Sequence, residues 1–263
     1  MSFLILAFAF GCGAMIGSFL NVCIVRLPKD KSIAFPASHC CSCKAPIAWH
    51  DNVPVLSWFL LGGRCRRCKA KFSARYPAIE FLTGCLFILF FVVFGWTPKS
   101  GVYLVFSLAL LVQTMIDLEH EIIPDAITLP GIALGVAASL ALPELQGESS
   151  RLAALGQSAL GVLAGGGSLW LAGTIAERIL KKEAMGGGDV KLLAMVGALL
   201  GWPGVLWTIF VSSLFGSVVG LYLRVTAGRE RIPFGPYLGL AAFLYLFFGV
   251  RAMEWYFRYL TLA

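Results

Sequence analysis

Three aspartates stand at the ends of apolar runs in a chain otherwise poor in charge. Asp117 closes one run within Met-Ile-Asp-Leu-Glu-His, Asp125 follows Pro124 and opens the next, and Asp189 follows Gly186-Gly187-Gly188. Ionisable groups near a bilayer are costly and read as functional by default. If the fold brings Asp117 and Asp189 together, the two carboxylates cannot both ionise and must share a proton. One can then activate water as general base while the other donates a hydrogen bond to a scissile carbonyl. Those roles belong to the pair rather than to either residue. Gly186 and Gly188 carry no Cβ, so a substrate backbone can approach closely and the turn can take positive φ.

Each acid also has a structural reading. Asp125 after Pro124 reads as a helix N-cap or as a supporting acid, and Asp189 as a cap after a flexible loop. Asp117 sits where the helix dipole disfavours an acid, so its rival reading is an ion pathway. Glu119, His120 and Glu121 read as a solvated loop. Glu80 reads as the partner of Arg75 or another loop cation.

A second constellation is built from sulfur. Of eight cysteines, Cys12, Cys23 and Cys85 lie in apolar runs and read as small packing residues. The other five lie in His-Cys40-Cys41-Ser-Cys43 and Gly-Arg-Cys65-Arg-Arg-Cys68. Two C-x2-C pairs about twenty residues apart are a specific signal for tetrahedral zinc. Cys40, Cys43, Cys65 and Cys68 make the symmetric choice, with Cys41, His39 and His50 as possible substitutes. Four filled positions imply a structural ion. Disulfides are the alternative and would require an oxidising compartment. A catalytic zinc would need an open position and an H-E-x-x-H-like arrangement, which the sequence lacks.

The elements that must position these residues are set by the solvent. Apolar residues make up 59% of the 263 and charged ones only 13%, too few to cover a water-facing globule. The lipid bilayer is the solvent this composition fits, and 29 glycines suit close helix packing. Apolar runs predict eight spans: 2–25, 77–95, 101–118, 125–142, 153–176, 189–201, 203–225 and 233–250. The sixth is short, but Gly201-Trp202-Pro203-Gly204 should break any single helix over 189–225. The first run lacks a basic n-region and an Ala-x-Ala site, so it reads as a retained span rather than a signal peptide. The fold class expected is an all-α polytopic membrane protein with a small zinc-stapled domain between helices 1 and 2. Its expected parts are 1–25, helix 1; 26–76, a cytoplasmic zinc-binding domain; and 77–263, seven membrane helices. No repeat or low-complexity tract appears.

Charge sets the expected orientation. With the N-terminus outside, segments 26–76, 177–191 and 224–232 hold ten, four and three basic residues, against four on the opposite face. That asymmetry follows the positive-inside rule and places Asp117, Asp125, Asp189 and the cysteine loop at the cytoplasmic side. A basic loop in this setting reports orientation rather than nucleic-acid binding. A transporter using the same acids should show inverted repeats and acids near mid-bilayer, and neither is found.

In this order the motifs resemble the bacterial type IV prepilin peptidases, the leader peptidase/N-methyltransferases of the GxGD aspartyl protease family. The pieces are Gly17-Ser18-Phe19-Leu20-Asn21-Val22 leading into Arg26-Leu27-Pro28, the two cysteine pairs, Arg75-Tyr76-Pro77-x-x-Glu80, Asp117 with Pro124-Asp125, and Gly186-x-Gly188-Asp189 with Lys191-Leu-Leu-Ala. The resemblance covers nearly the whole chain. It implies catalysis by Asp117 and Asp189, supported by Gly186, Gly188, Asp125 and Lys191. It further implies an inner-membrane enzyme that cleaves the basic leader of prepilins or pseudopilins at the cytoplasmic face. The new N-terminal residue is then methylated from S-adenosyl-L-methionine. One departure is Cys41, where the family often has proline, which opens ligand exchange between Cys40 and Cys41. No soluble-type cofactor motif marks the methyl donor's site.

Overall fold

The computed structural model describes residues 3–181, 185–228 and 233–262, and these are helical or irregular apart from two isolated bridges. Its contacts divide the chain into two units, Met1–Leu108 and Ala109–Ala263.

The first unit begins with α1, Phe3–Arg26, an apolar helix free of charge until its last residue. Pro28 follows, and the chain leaves through a short 3-10 turn into a left-handed Asp30. A short helix α2, Leu56–Leu60, and then α3, Arg75–Phe94, come next. The packing of α1 on α3 depends on small residues. A Cβ at Gly17 would stand 2.7 Å from the Glu80 backbone, and one at Gly13 would stand 2.8 Å from Gly84. Asn21 fixes the register by donating from Nδ2 to the Tyr76 carbonyl at 3.0 Å. Arg26 donates to the carbonyls of Ser32 and Pro36 at 2.9 and 2.7 Å, folding the loop back onto the helix end.

Helix α4, Pro98–His120, carries the chain into the second unit. There follow α5, Asp125–Ala141; α6, Arg151–Leu180; α7, Gly187–Ala227; α8, Gly235–Leu244; and α9, Val250–Leu262. The α6–α7 contact is so close that a Cβ at Gly161 or Gly197 would collide with the other's carbonyl oxygen. This small-residue packing is how helices associate where lipid removes the hydrophobic drive. One turn of π-helix, Tyr245–Gly249, joins α8 to α9.

The expected break at Gly201 is present. α7 runs through it as one 41-residue element, but Gly201 has φ 67° and ψ −177°, which no helix interior accommodates. The break frees carbonyls of buried residues, and these are satisfied by side chains. Gln146 donates from Nε2 to the carbonyls of Ala198 and Leu199 at 3.2 and 3.1 Å. Ser139 and Ser158 also donate to the Ala198 carbonyl. Irregular backbone at membrane depth survives only where protein meets its hydrogen bonds in this way.

Among the described residues six helical stretches are long and apolar enough to cross a membrane: α1, α3, α4, α6, α7 and Gly235–Tyr256. The expected fourth span is α5, apolar but only 17 residues long, and the expected sixth and seventh are the two parts of α7. The count of eight therefore turns on how α5 and the broken α7 are placed in the bilayer.

Candidate active site and metal centre

Four helix ends of the second unit converge on the intramembrane acids. Asp117 lies in the last turn of α4, only 5% exposed, and its carbonyl accepts the N–H of Glu121, which closes the helix in a left-handed conformation. Asp189 lies in the first turn of α7, with its N–H on the Gly186 carbonyl at 3.1 Å. The two carboxylates are close enough to interact electrostatically. Ile123, between α4 and α5, is the shared neighbour. A Cβ at Gly188 would stand 2.8 Å from the Ile123 Cβ, and one at Gly235 would stand 3.0 Å from its Cδ1. Ile123 is therefore packed between the turn that presents Asp189 and the helix start that faces Asp117.

Gly235 was not visible as a site residue in the sequence. It opens α8, donates its N–H to the Asp117 carboxylate, and leaves no room for a side chain: a Cβ would stand 2.5 Å from Oδ2. The available signal was Phe-Gly-Pro at the start of an apolar run, a turn signature with no chemistry attached. Gln113, one turn before Asp117, is 1% exposed, and neither side-chain polar atom has a hydrogen-bond partner among the described residues.

Asp125 and Lys191 meet. The Lys191 ammonium reaches both Asp125 oxygens, at 2.7 and 2.8 Å. Asp125 is the first residue of α5 after an N-cap at Pro124, and its side chain makes no cap hydrogen bond. The cap reading of Asp125 gives way to an ion pair that ties the starts of α5 and α7 together. Glu80 accepts the Val55 N–H at 2.7 Å and the Ser18 hydroxyl. His120 ends α4, with Glu119 in its last turn.

The cysteine pairs form two knuckles of the same design in the first unit. The Cys40 N–H donates to Ala45 and its carbonyl accepts from Lys44; the Cys65 N–H donates to Ala70 and its carbonyl accepts from Lys69. Both lysines take left-handed φ, 58° and 60°, so each loop turns on the residue after its second cysteine. One sulfur from each of Cys40, Cys43, Cys65 and Cys68 lies within 4.8 Å of the others, and Cys40 Sγ is 3.7 Å from Cys68 Sγ. Backbone N–H groups of Cys43 and Ser42 hold the Cys40 thiol down to about 6. Those of Cys68 and Arg67 lower Cys65 in the same way. The Ala70 N–H would lower Cys68 too, but desolvation and the neighbouring sulfurs push it up to about 11. This donor set suits a soft, tetrahedral ion and leaves no open position. Cys41 is exposed and stands outside the tetrad. A bidentate pair of Arg66 with Asp51, at 2.6 to 3.1 Å, braces the second knuckle and holds the Asp51 carboxyl below the usual range.

Comparison with known proteins follows the same division. The bacterial peptidase A24 N-terminal domain matches residues 12–94, and the type IV leader peptidase family matches residues 104–221. A prepilin leader peptidase/N-methyltransferase of Myxococcus xanthus is 40% identical over 222 residues, 84% of this chain. The match spans 64% of that relative, less than two thirds of its length. The protein of the same name in Pseudomonas aeruginosa is 34% identical, covering 94% of this chain and 91% of its own. That of Neisseria gonorrhoeae is 36% identical, covering 88% and 86%. No solved structure matches.

Proposed function

The chain is an enzyme of the type IV leader peptidase family, and from that premise we propose that it cleaves the leader of a prepilin or pseudopilin with Asp117 and Asp189 and then N-methylates the new amino terminus. The observation that carries the peptidase half is the convergence of Asp117, Asp189 and the Gly235 N–H at one cluster of helix ends.

The chemistry follows from that placement. One carboxylate, ionised, takes a proton from water as the water oxygen bonds to the scissile carbonyl carbon. The other, protonated, donates to the carbonyl oxygen as it becomes an alkoxide. The tetrahedral intermediate collapses, the C–N bond breaks, and the proton taken from water passes to the leaving amine. The Gly235 N–H holds the Asp117 carboxylate in one orientation while this happens. Gly188 lets Ile123 pack against the turn that presents Asp189, and the Lys191–Asp125 pair keeps the start of α7 in place.

Cys40, Cys43, Cys65 and Cys68 fit a zinc ion, which in a closed site of this kind supplies folding energy rather than catalysis. S-adenosyl-L-methionine, when bound, supplies an electrophilic methyl group on sulfonium sulfur. We place the acids and the cysteine knuckles on the cytoplasmic side of a bacterial inner membrane, because the basic residues concentrate in the same connecting segments.

The test uses Asp117→Asn and Asp189→Asn in the full-length protein, with a prepilin and labelled methyl donor. Each variant should insert in the membrane and fail to release the leader, and each should still methylate a pilin supplied already cleaved. Processing by both single variants at the wild-type rate would remove the pair from the mechanism.

A further inference from the structure

A cavity of about 550 Å³ lies within the first unit, between the end of α1, the loop after it, α2 and the start of α3. We propose that this cavity is the binding site of the methyl donor, an adenosyl sulfonium amino acid, with Glu80 and Asn21 as its principal polar contacts. The proposal rests on the methyltransferase half of the function given above.

Two buried acceptors are among the residues that line the cavity. Glu80 is 8% exposed, and among the described residues its carboxylate takes the Val55 N–H and the Ser18 hydroxyl. A carboxylate has about four lone-pair sites, so it can accept further donors from a ligand. Asn21 is 2% exposed, and its Nδ2 is committed to the Tyr76 carbonyl, which fixes the amide's orientation. Its Oδ1 is buried and has no hydrogen-bond partner among the described residues. A fixed, buried acceptor without a donor is costly to the protein alone, and a ligand donor at that point would remove the cost.

Aromatic and cationic residues complete the lining. Trp58 and Phe72 are among them, and the Trp58 ring is fixed by its Nε1–H donating to the Phe72 carbonyl at 3.3 Å. Lys31, Lys44 and Arg64 bring cationic groups to the lining. A ligand that satisfies all three kinds of residue needs a flat ring, donor groups with a positive centre, and a carboxylate. An adenosyl sulfonium amino acid carries each: adenine for the aromatic residues, ribose hydroxyls and sulfonium for Glu80, and a carboxylate for the cationic groups. The cavity falls within the roughly 300–1,000 Å³ range of cofactor and small-molecule sites. In transfer, the amine's lone pair bonds to the methyl carbon while the carbon–sulfur pair stays on sulfur as a thioether, and the excess N–H proton leaves to solvent.

The experiment measures binding and position as well as turnover, on full-length zinc-loaded enzyme in detergent. Calorimetry with S-adenosylhomocysteine should give saturable binding to wild type, weakened about tenfold or more in Glu80→Gln and in Asn21→Ala by loss of a charged or a buried acceptor. Zinc content and a single elution peak equal to wild type establish that each variant is folded. Ultraviolet cross-linking of tritiated donor to wild type, followed by peptide mapping, should label residues within 18–80. Label in residues 109–263, or unchanged affinity in both variants, overturns the site. So does displacement of the bound nucleoside by phosphatidylglycerol vesicles, which would make the cavity a lipid headgroup site. If wild type methylates a pre-cleaved pilin but labels elsewhere, the activity stands and the site falls. If it binds and labels here but transfers no methyl, the site stands and the transferase reading falls.

Discussion

Gly235 and Asp117 are in direct contact: the glycine N–H donates to the carboxylate, and the space where a Cβ would sit is filled by Oδ2, 2.5 Å away. A hydrogen atom is the only side chain that fits. Gly235→Ala should therefore move the Asp117 carboxylate, or Ile123 behind it, by a fraction of an ångström. A misplacement of about 1 Å can cost about a hundredfold in rate, and a smaller one correspondingly less. The expected result is a leader-cleavage rate lowered by about ten- to a hundredfold, with methyl transfer to a pre-cleaved pilin retained. Full cleavage activity in Gly235→Ala would show that the contact does not orient Asp117.

The break in α7 leads to a stability prediction. Gln146 is the main donor to the carbonyls freed at Gly201, and Ser139 Oγ in turn accepts from it at 2.8 Å. Gln146→Ala leaves the Leu199 carbonyl without its side-chain donor, at a cost of about 1–3 kcal/mol for a buried unsatisfied group, while Ser139 and Ser158 still donate to Ala198. Thermal unfolding in detergent should show a lower midpoint, with the cleavage rate below that midpoint little changed. Gly201→Ala should destabilise further, because a φ of 67° is unfavourable for any residue with a Cβ. A midpoint unchanged by Gln146→Ala would mean that water already serves the Leu199 carbonyl.

Spacing made part of this protein legible in its sequence. The cysteine tetrad and the aspartates at helix ends are local patterns, and apolar run length located α1 and α3 to α7 to within a few residues, while α2 and the amphipathic α9 were not anticipated. The Gly-Trp-Pro-Gly break was readable because it too is local. What escaped are contacts between distant positions. Asn21 bonds Tyr76 across 55 residues, Gln146 reaches Ala198 across 52, and Gly235 meets Asp117 from the far end of the second unit. Asp125 illustrates the limit. Local rules left it either a cap or a supporting acid, and could not show that the fold places the Lys191 ammonium 2.7 Å from it.

That ion pair is more than a third exposed on both sides, 39% for Lys191 and 54% for Asp125. Exposed pairs contribute about 0–1 kcal/mol, so Lys191→Ala should lower thermal stability only slightly. Lys191 stands one turn or less from Asp189, however, and anchors the start of α7 against α5. Leader cleavage should fall more than stability does, and the fall should be reproduced by Asp125→Ala. The double variant should then be no worse than either single one, because both remove the same interaction. Additive losses would show that the two residues act separately.

The knuckles make a prediction about metal and pH. Zinc binds thiolates, so proton and metal compete for the same sulfurs. The Cys43 and Ser42 N–H groups stabilise the charged form of Cys40 and bring its titration from 9.0 down to about 6. Because the folded value is lowered, that stabilisation is fully present above the ordinary thiol value and is lost as pH falls through about 6. A bound zinc ion shifts the competition lower still. Metal content should therefore decline on acidification, with release complete once all four sulfurs are protonated. Cys40→Ser should raise the pH at which zinc is lost, by removing the most readily ionised ligand. Cys41→Ser should leave it unchanged, since Cys41 lies outside the tetrad. The measurement is zinc released to a chromogenic chelator across a pH series, with a parallel thiol count. Disulfides in place of the ion would give no zinc at any pH, and a thiol count that rises only after reduction.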